Sequence, residues 1–276
     1  MRPEYLFRPG RSLAGSWSSR RSRVRLAWGQ PISINPDELI GRHIARRGVF
    51  DVATCEVCWR LATPGSFCVD IGANIGQMTG LFIERLGPDG HLLSVEAHPK
   101  IFERLEANVA EWSHDLGPEV SLVNAALSAF DGHLMLREPV GFAQNQGICT
   151  LESGSGAGFS VPCFRLSTLW HPDQRMDVMK LDVEGHELAV LEGATMNFDK
   201  NPPQHLIYED WNDFPNPVSN FLTARGYTIF GYRPTTRRVV LEAPSSETHE
   251  RIATLQEAWV RDQFAQGGYR CLRPPR

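Results

Sequence analysis

An α/β fold on a mostly parallel sheet is predicted by three observations. Residues 67–71 (FCVDI) make a short apolar strand that runs through the turn Gly72 to Gly76 into a helix carrying Met78, Leu81, Phe82, Ile83 and Leu86. A strand of that composition is buried on both faces, as parallel sheets require. Strand-then-helix patterns return at 91–112 and at 176–194, and a further strand is expected at 204–211. The stretches 227–233 and 237–243, joined by Pro234, Thr235 and Thr236, read as a closing antiparallel hairpin.

The other elements follow in order. Pro36 and Asp37 open a turn, Gly48 separates a basic helix from a second helix over 51–61, and Pro64-Gly65 stops that helix before the first core strand. The helix from Pro99 to Trp112 places Ile101, Leu105, Val109 and Trp112 on one side, and 120–128 supplies the third core strand. A short strand is expected from His133 to Arg137, and 141–164 reads as an irregular excursion with short extended pieces. Residues 245–264 read as a polar connector and helix. The expected organisation is an arm and approach segment at 1–49, one catalytic-size domain at 50–243, and a helix and tail at 244–276.

Composition narrows the partners. The 276 residues are 42% apolar and 22% charged with a net charge of -4, an ordinary globular balance that lends no global support to nucleic-acid binding. Cysteines 55, 58, 68, 149, 163 and 271 are too scattered for a disulfide framework and fit a reducing, cytoplasmic setting. Cys55 and Cys58 form a C-x-x-C without a second pair, so small buried residues are the better reading than zinc or redox use. No stretch is apolar enough to span a membrane. Seven arginines among residues 1–27 read as a basic tail; an organelle presequence or an arm for anionic surfaces are the alternatives.

The turn carries the chemistry. A dinucleotide fingerprint needs three glycines, whereas here Asp70 precedes only Gly72 and Gly76, with Asn74 between them. A carboxylate before the turn suits a cationic amino-acid group better than a diphosphate, and the ligand this favours is S-adenosylmethionine. Glu96 ends the second core strand 20 residues after Gly76, the place for an acid that bridges ribose hydroxyls. Ala125 and Ala126 end the third and leave room for an adenine. Asp182, Glu184, His186 and Glu187 gather after the strand that ends at Leu181, and Glu209 and Asp210 end the next one. Acids in a helix's first turn are also stabilised by exposed backbone amides alone.

These pieces together resemble the FkbM family of S-adenosylmethionine-dependent methyltransferases. The matching blocks are VDIGANIGQMTGLF at 69–82, SVEAHPKIFERLEANV at 94–109, AALSAFDG at 125–132, MKLDVEGHELAVLEGA at 179–194 and IYED at 207–210. The resemblance implies a class I methyltransferase-like, Rossmann-like fold with a seven-stranded, mostly parallel sheet and an antiparallel terminal hairpin. It implies O-methylation of a small molecule, sugar, glycan or lipid. By the same match, Asp70, Gly72, Asn74 and Gly76 receive the methionine moiety, Glu96 the ribose, and Asp182, Glu184 and Glu187 the acceptor side; Glu209, ending the next strand, is placed on the acceptor side with them. Ala129 stands where family members often carry an acid, so no side chain is assigned to the adenine.

For a hydroxyl acceptor, Asp182 is the first choice to orient or deprotonate it, with His186 second. Lys180 contacts a developing oxyanion if it faces the crevice and is structural if it does not. A divalent ion on Asp182, Glu209 and Asp210 is a secondary reading, and metal-free catalysis is favoured. The rivals are N-methylation with the same cofactor and a non-enzymatic module that keeps the fold.

Overall fold

The computed structural model describes residues 22–112, 117–147, 150–152 and 158–272. The arginine arm as far as Arg21, Cys149 and residues 153–157 of the excursion lie outside the described residues.

A two-stranded antiparallel ribbon, β1 (Arg23–Arg25) and β2 (Pro31–Ser33), leads into helices α1 (Leu39–Arg47) and α2 (Val52–Leu61). Gly48 ends α1 at a φ of 73°, and the Asp51 side chain caps α2 by accepting from the Thr54 amide at 3.1 Å. The repeating core follows as β3 (Phe67–Ile71), α3 (Gln77–Leu86), β4 (His91–Val95), α4 (Pro99–Trp112) and β5 (Glu119–Val123). The strand expected over 120–128 breaks after Val123. Its second part, β6 (Ala126–Leu127), joins β7 (Gly132–Arg137), β8 (Thr150–Glu152) and β9 (Phe159–Phe164) in a separate sheet of order β6-β9-β7-β8.

The chain returns through α5 (Leu166–Leu169), β10 (Val178–Leu181), α6 (Glu187–Glu192), α7 (Thr195–Lys200), β11 (His205–Glu209), α8 (Pro217–Thr223), β12 (Thr228–Pro234) and β13 (Val239–Glu242). It closes with β14 (Glu250–Thr254) and α9 (Glu257–Ala265). The main sheet has eight strands, β13-β12-β14-β11-β10-β3-β4-β5, where seven were expected. From β11 to β5 all pairs are parallel, and β14 lies antiparallel between β11 and β12. The hairpin β12–β13 forms as expected. Residues 250–254, expected within a connector and helix, are instead an inner strand, so the sheet runs past residue 243. Arg251 is fully buried there with its guanidinium over the Phe214 ring, which hides the strand's apolar environment from a sequence reading.

Every side chain of β3 and β10 is buried. One core, with Trp28, Phe82, Trp112 and Ile252, lies on one face of the sheet, and another, with Trp170, Met179, Leu206 and Phe198, on the other. The approach segment belongs to the first core. Gln77 locks it to the start of α3, its amide donating to the Phe50 carbonyl at 2.8 Å and its carbonyl accepting from the Phe50 amide at 2.7 Å. Cys55 and Cys58 are fully buried free thiols whose burial pushes their proton affinities up, which matches their reading as small core residues.

Candidate active site

The strand order reverses between β3 and β10, and a crevice at the carboxyl ends of these strands is where an open α/β sheet binds its ligand. A cavity of about 850 Å³ opens there, within the range of small-molecule clefts. Gly72, Asn74, Glu96, Asp182, Glu184 and Glu209 all line it.

The glycines serve the protein's own packing. At Gly72 the backbone has a φ of 76°, and a Cβ would lie 1.9 Å from the Asp182 carbonyl oxygen. At Gly76, with a φ of 96°, a Cβ would meet Leu105 Cδ1 at 2.7 Å; Gly76 faces α4 and is not part of the cavity wall. The turn is tight because the end of β10 presses on one side and α4 on the other. Asn74, at a φ of 51°, accepts from the Ile75 amide at 2.7 Å and presents its backbone N–H to Glu96.

Glu96 is nearly buried. One carboxylate oxygen accepts from the Asn74 amide at 2.9 Å and the other from the His98 amide at 2.8 Å. Burial, partly offset by those two bonds, raises its proton affinity. Each carboxylate oxygen accepts one backbone amide and keeps further acceptor capacity. Ala97, Ile101, Ala125, Ala126 and Leu136 continue the wall beyond it as an apolar slot.

Asp70 lies elsewhere. It is fully buried, absent from the cavity wall, and its Oδ2 accepts from the Thr79 hydroxyl at 2.7 Å while Lys180 Nζ stands 3.5 Å from Oδ1. The expectation that its carboxylate meets a ligand's amino group is not what the geometry presents; Asp70 supports the turn from below. Thr79→Val, which removes that hydroxyl from a buried carboxylate, is expected to cost about 1–3 kcal/mol of stability, measured by urea unfolding. An unchanged unfolding midpoint would count against this support.

At the other end, Leu181 pairs with Tyr208, and Glu209 pairs with Glu250. Asp182, Glu209 and Glu250 therefore end three adjacent strands side by side, about 4.8 Å apart from strand to strand. Burial first, then the charges of Asp182, Glu250, Glu184 and Asp51, push the Glu209 carboxyl up to about 8. Burial, then Asp182 and Glu187, push Glu184 up to about 7. Folded Glu209 keeps a proton that the unfolded chain releases above its ordinary 4.5, so stability falls as pH rises from about 4.5 through about 8. Glu209→Gln is expected to lose about 1–2 kcal/mol less than wild type between about pH 5 and pH 9 in urea unfolding, after allowance for solvent screening. Parallel pH profiles would refute this.

Other candidates, one each from the catalytic, acceptor-side and metal readings, are placed differently. His186, expected as a second base, is turned away: its Nε2 lies 2.9 Å from Ser128 Oγ, and it is absent from the cavity wall. Glu187 accepts from the Val183 and Gly185 amides at 3.2 Å each and caps the turn beneath the wall. Asp210 turns aside to bond the Asn212 backbone and side chain, which splits the oxygen trio considered for a divalent ion. Among the described residues no group of three or more His, Cys, Asp or Glu side chains is placed to hold a metal. Asp51, Glu250 and the rim pair Trp211 and His249, stacked at 4.1 Å between centroids, line the cavity without having been singled out from the sequence.

One cavity joins the Gly72 turn and Glu96 to a carboxylate-rich strand edge at the switch point of an open α/β sheet, the place where enzymes of this architecture bind nucleotide cofactors. The family model described as the methyltransferase FkbM domain matches residues 70–229. The chain belongs to the FkbM family of methyltransferases and, with it, uses S-adenosylmethionine. It is 29% identical over 240 residues to the methyltransferase sdnD of Sordaria araneosa, across 75% of this chain and 83% of that protein. Among solved structures it is similar to the O-methyltransferase TomG of Streptomyces achromogenes, with 14% identity and a TM-score of 0.41 over 77% of this chain and 86% of that one. It is similar too to precorrin-6y C5,15-methyltransferase of Geobacter metallireducens, with 14% identity and a TM-score of 0.41 over 73% and 86%. No helix among the described residues is long and apolar enough to cross a membrane.

Proposed function

We propose that the protein methylates a hydroxyl oxygen of a small molecule, sugar, glycan or lipid, with Asp182 as the group that orients and deprotonates it. The observation that carries this reading is the continuity of one cavity from Glu96 through the Gly72 turn to Asp182, whose side chain is 40% exposed. The cofactor supplies an electrophilic methyl on a sulfonium. With donor and acceptor bound, Asp182 would take the hydroxyl proton as the acceptor oxygen receives the methyl and the carbon–sulfur bond breaks. Glu96 holds the ribose, while Gly72 and Asn74 shape the wall for the amino-acid end. Free thiols at all five described cysteines support a cytoplasmic setting.

N-methylation has one observation on its side. Glu184, Glu209 and Glu250 on the cavity wall offer carboxyl oxygens that an amine's N–H groups could donate to. A panel of alcohols, glycosides, lipids and amines, read by S-adenosylhomocysteine formation and by NMR of the methylated product, separates the two. An oxygen-bound methyl is the expected result. A nitrogen-bound methyl would overturn the oxygen assignment, and no turnover with any hydroxyl acceptor would remove its basis.

A further inference from the structure

Lys180 is a buried cation in the middle of the site. It lies opposite Asp70 in the β10–β3 register and two residues before Asp182, so all three side chains share one face of the sheet. Its ammonium donates to the Gly72 carbonyl at 3.1 Å and stands 3.4 Å from Asp182 Oδ2 and 3.5 Å from Asp70 Oδ1. An ammonium has three N–H donors. The Gly72 carbonyl takes one of them, and the Asp182 and Asp70 carboxylates flank the ammonium within ion-pair distance.

We infer that Lys180 is a positioning residue that ties the donor-binding turn to the acceptor-side carboxylate, holding Asp182 Oδ2 so that Oδ1 faces the cavity beside the transferred methyl. The two ends it joins are already in contact, since the Asp182 carbonyl is the atom that forbids a Cβ at Gly72. Asp70 is the far anchor: Thr79 fixes one of its oxygens, and Lys180 balances its charge. Asp182 is the acceptor-edge carboxylate that Lys180 reaches within ion-pair distance. Burial lowers the proton affinity of Lys180, but Asp182 and then Asp70 outweigh it and hold the lysine cationic. Lys180 thus fixes where Asp182 points.

The inference rests on Asp182 being the acceptor-side carboxylate, and its test uses donor-side ligands alone, so failure to find a hydroxyl acceptor leaves the outcome readable. S-Adenosylmethionine is cationic at sulfur and S-adenosylhomocysteine is neutral there, so the ratio of their calorimetric Kd values reports the charge facing the methyl. Lys180→Met is expected to shift that ratio toward the cationic ligand by about threefold or more, because Asp182 loses its counter-charge. Lys180→Met/Asp182→Asn is expected to show the ratio of Asp182→Asn alone, since a residue acting through another adds nothing once that other is gone. Lys180→Arg, which keeps the charge, is expected to retain the wild-type ratio. Asp70→Asn/Lys180→Met removes the orphaned buried carboxylate and serves as the reading if Lys180→Met does not fold. An unchanged ratio on loss of the lysine, or independent effects of Lys180→Met and Asp182→Asn, would overturn the inference. Loss of S-adenosylhomocysteine binding in both Lys180→Arg and Asp70→Asn/Lys180→Met would do the same, by reducing the lysine to part of the donor turn.

Discussion

Glu96→Ala is expected to weaken S-adenosylhomocysteine binding by about 10- to 100-fold, the value of one or two hydrogen bonds to a charged acceptor. The carboxylate is pre-oriented by the Asn74 and His98 amides, so no rotamer entropy is lost when a ribose docks. Since those amides also lose a partner, Glu96→Gln is the finer probe: it keeps one acceptor oxygen and is expected to cost about tenfold. Calorimetry supplies affinity and heat, and a melting curve separates binding loss from unfolding. Burial raises the proton affinity of Glu96, so acidification should weaken binding earlier in wild type than an unperturbed glutamate would allow. Unaltered affinity and heat in Glu96→Ala would remove the ribose assignment.

Much of this arrangement is legible in the sequence because it is local. A buried strand, a turn and a helix are consecutive residues, and Glu96 falls at the end of the next strand by counting. What is not local was hidden. Glu250 joins Asp182 and Glu209 only because β14 inserts antiparallel beside β11, and residues 250–254, with Glu250 and Arg251 at their start, carry no apolar run to betray an inner strand. Asp51 starts the predicted helix and caps it, and its place on the cavity wall depends on how α2 docks over the sheet edge.

Direction is the second thing the chain order conceals. His186 and Asp182 are four residues apart, yet Gly185, at a φ of 94°, turns the chain so that the imidazole meets Ser128 on the far side. The glycines of the first turn looked like room made for a ligand. Gly72 is instead room made for the Asp182 backbone, so the donor turn and the acceptor edge are one packed unit, a fact that only the β3–β10 pairing reveals.

That unit bears on the largest expected effect. Asp182→Asn preserves the shape of the side chain and its contact with Lys180, but an amide cannot take the proton from an acceptor hydroxyl. General-base catalysis contributes about 10²- to 10⁴-fold, so turnover with an acceptor found in the panel is expected to fall by about 100-fold or more. Affinity for S-adenosylhomocysteine is expected to stay within about threefold, because on the proposed reading the donor is held by Glu96 and the Gly72 turn and not by Asp182. Glu209 provides the internal control. It sits beside Asp182 on the next strand but holds its proton to about 8, so near neutral pH it is mostly a donor and not a base. Glu209→Gln should therefore reduce turnover far less than Asp182→Asn at about pH 7, and the gap should narrow above about pH 8 as wild-type Glu209 ionises. A reversed order, with Glu209→Gln the more damaging at neutral pH, would move the base from β10 to β11. A loss of cofactor affinity in Asp182→Asn without a matching loss of turnover would place Asp182 in the donor site.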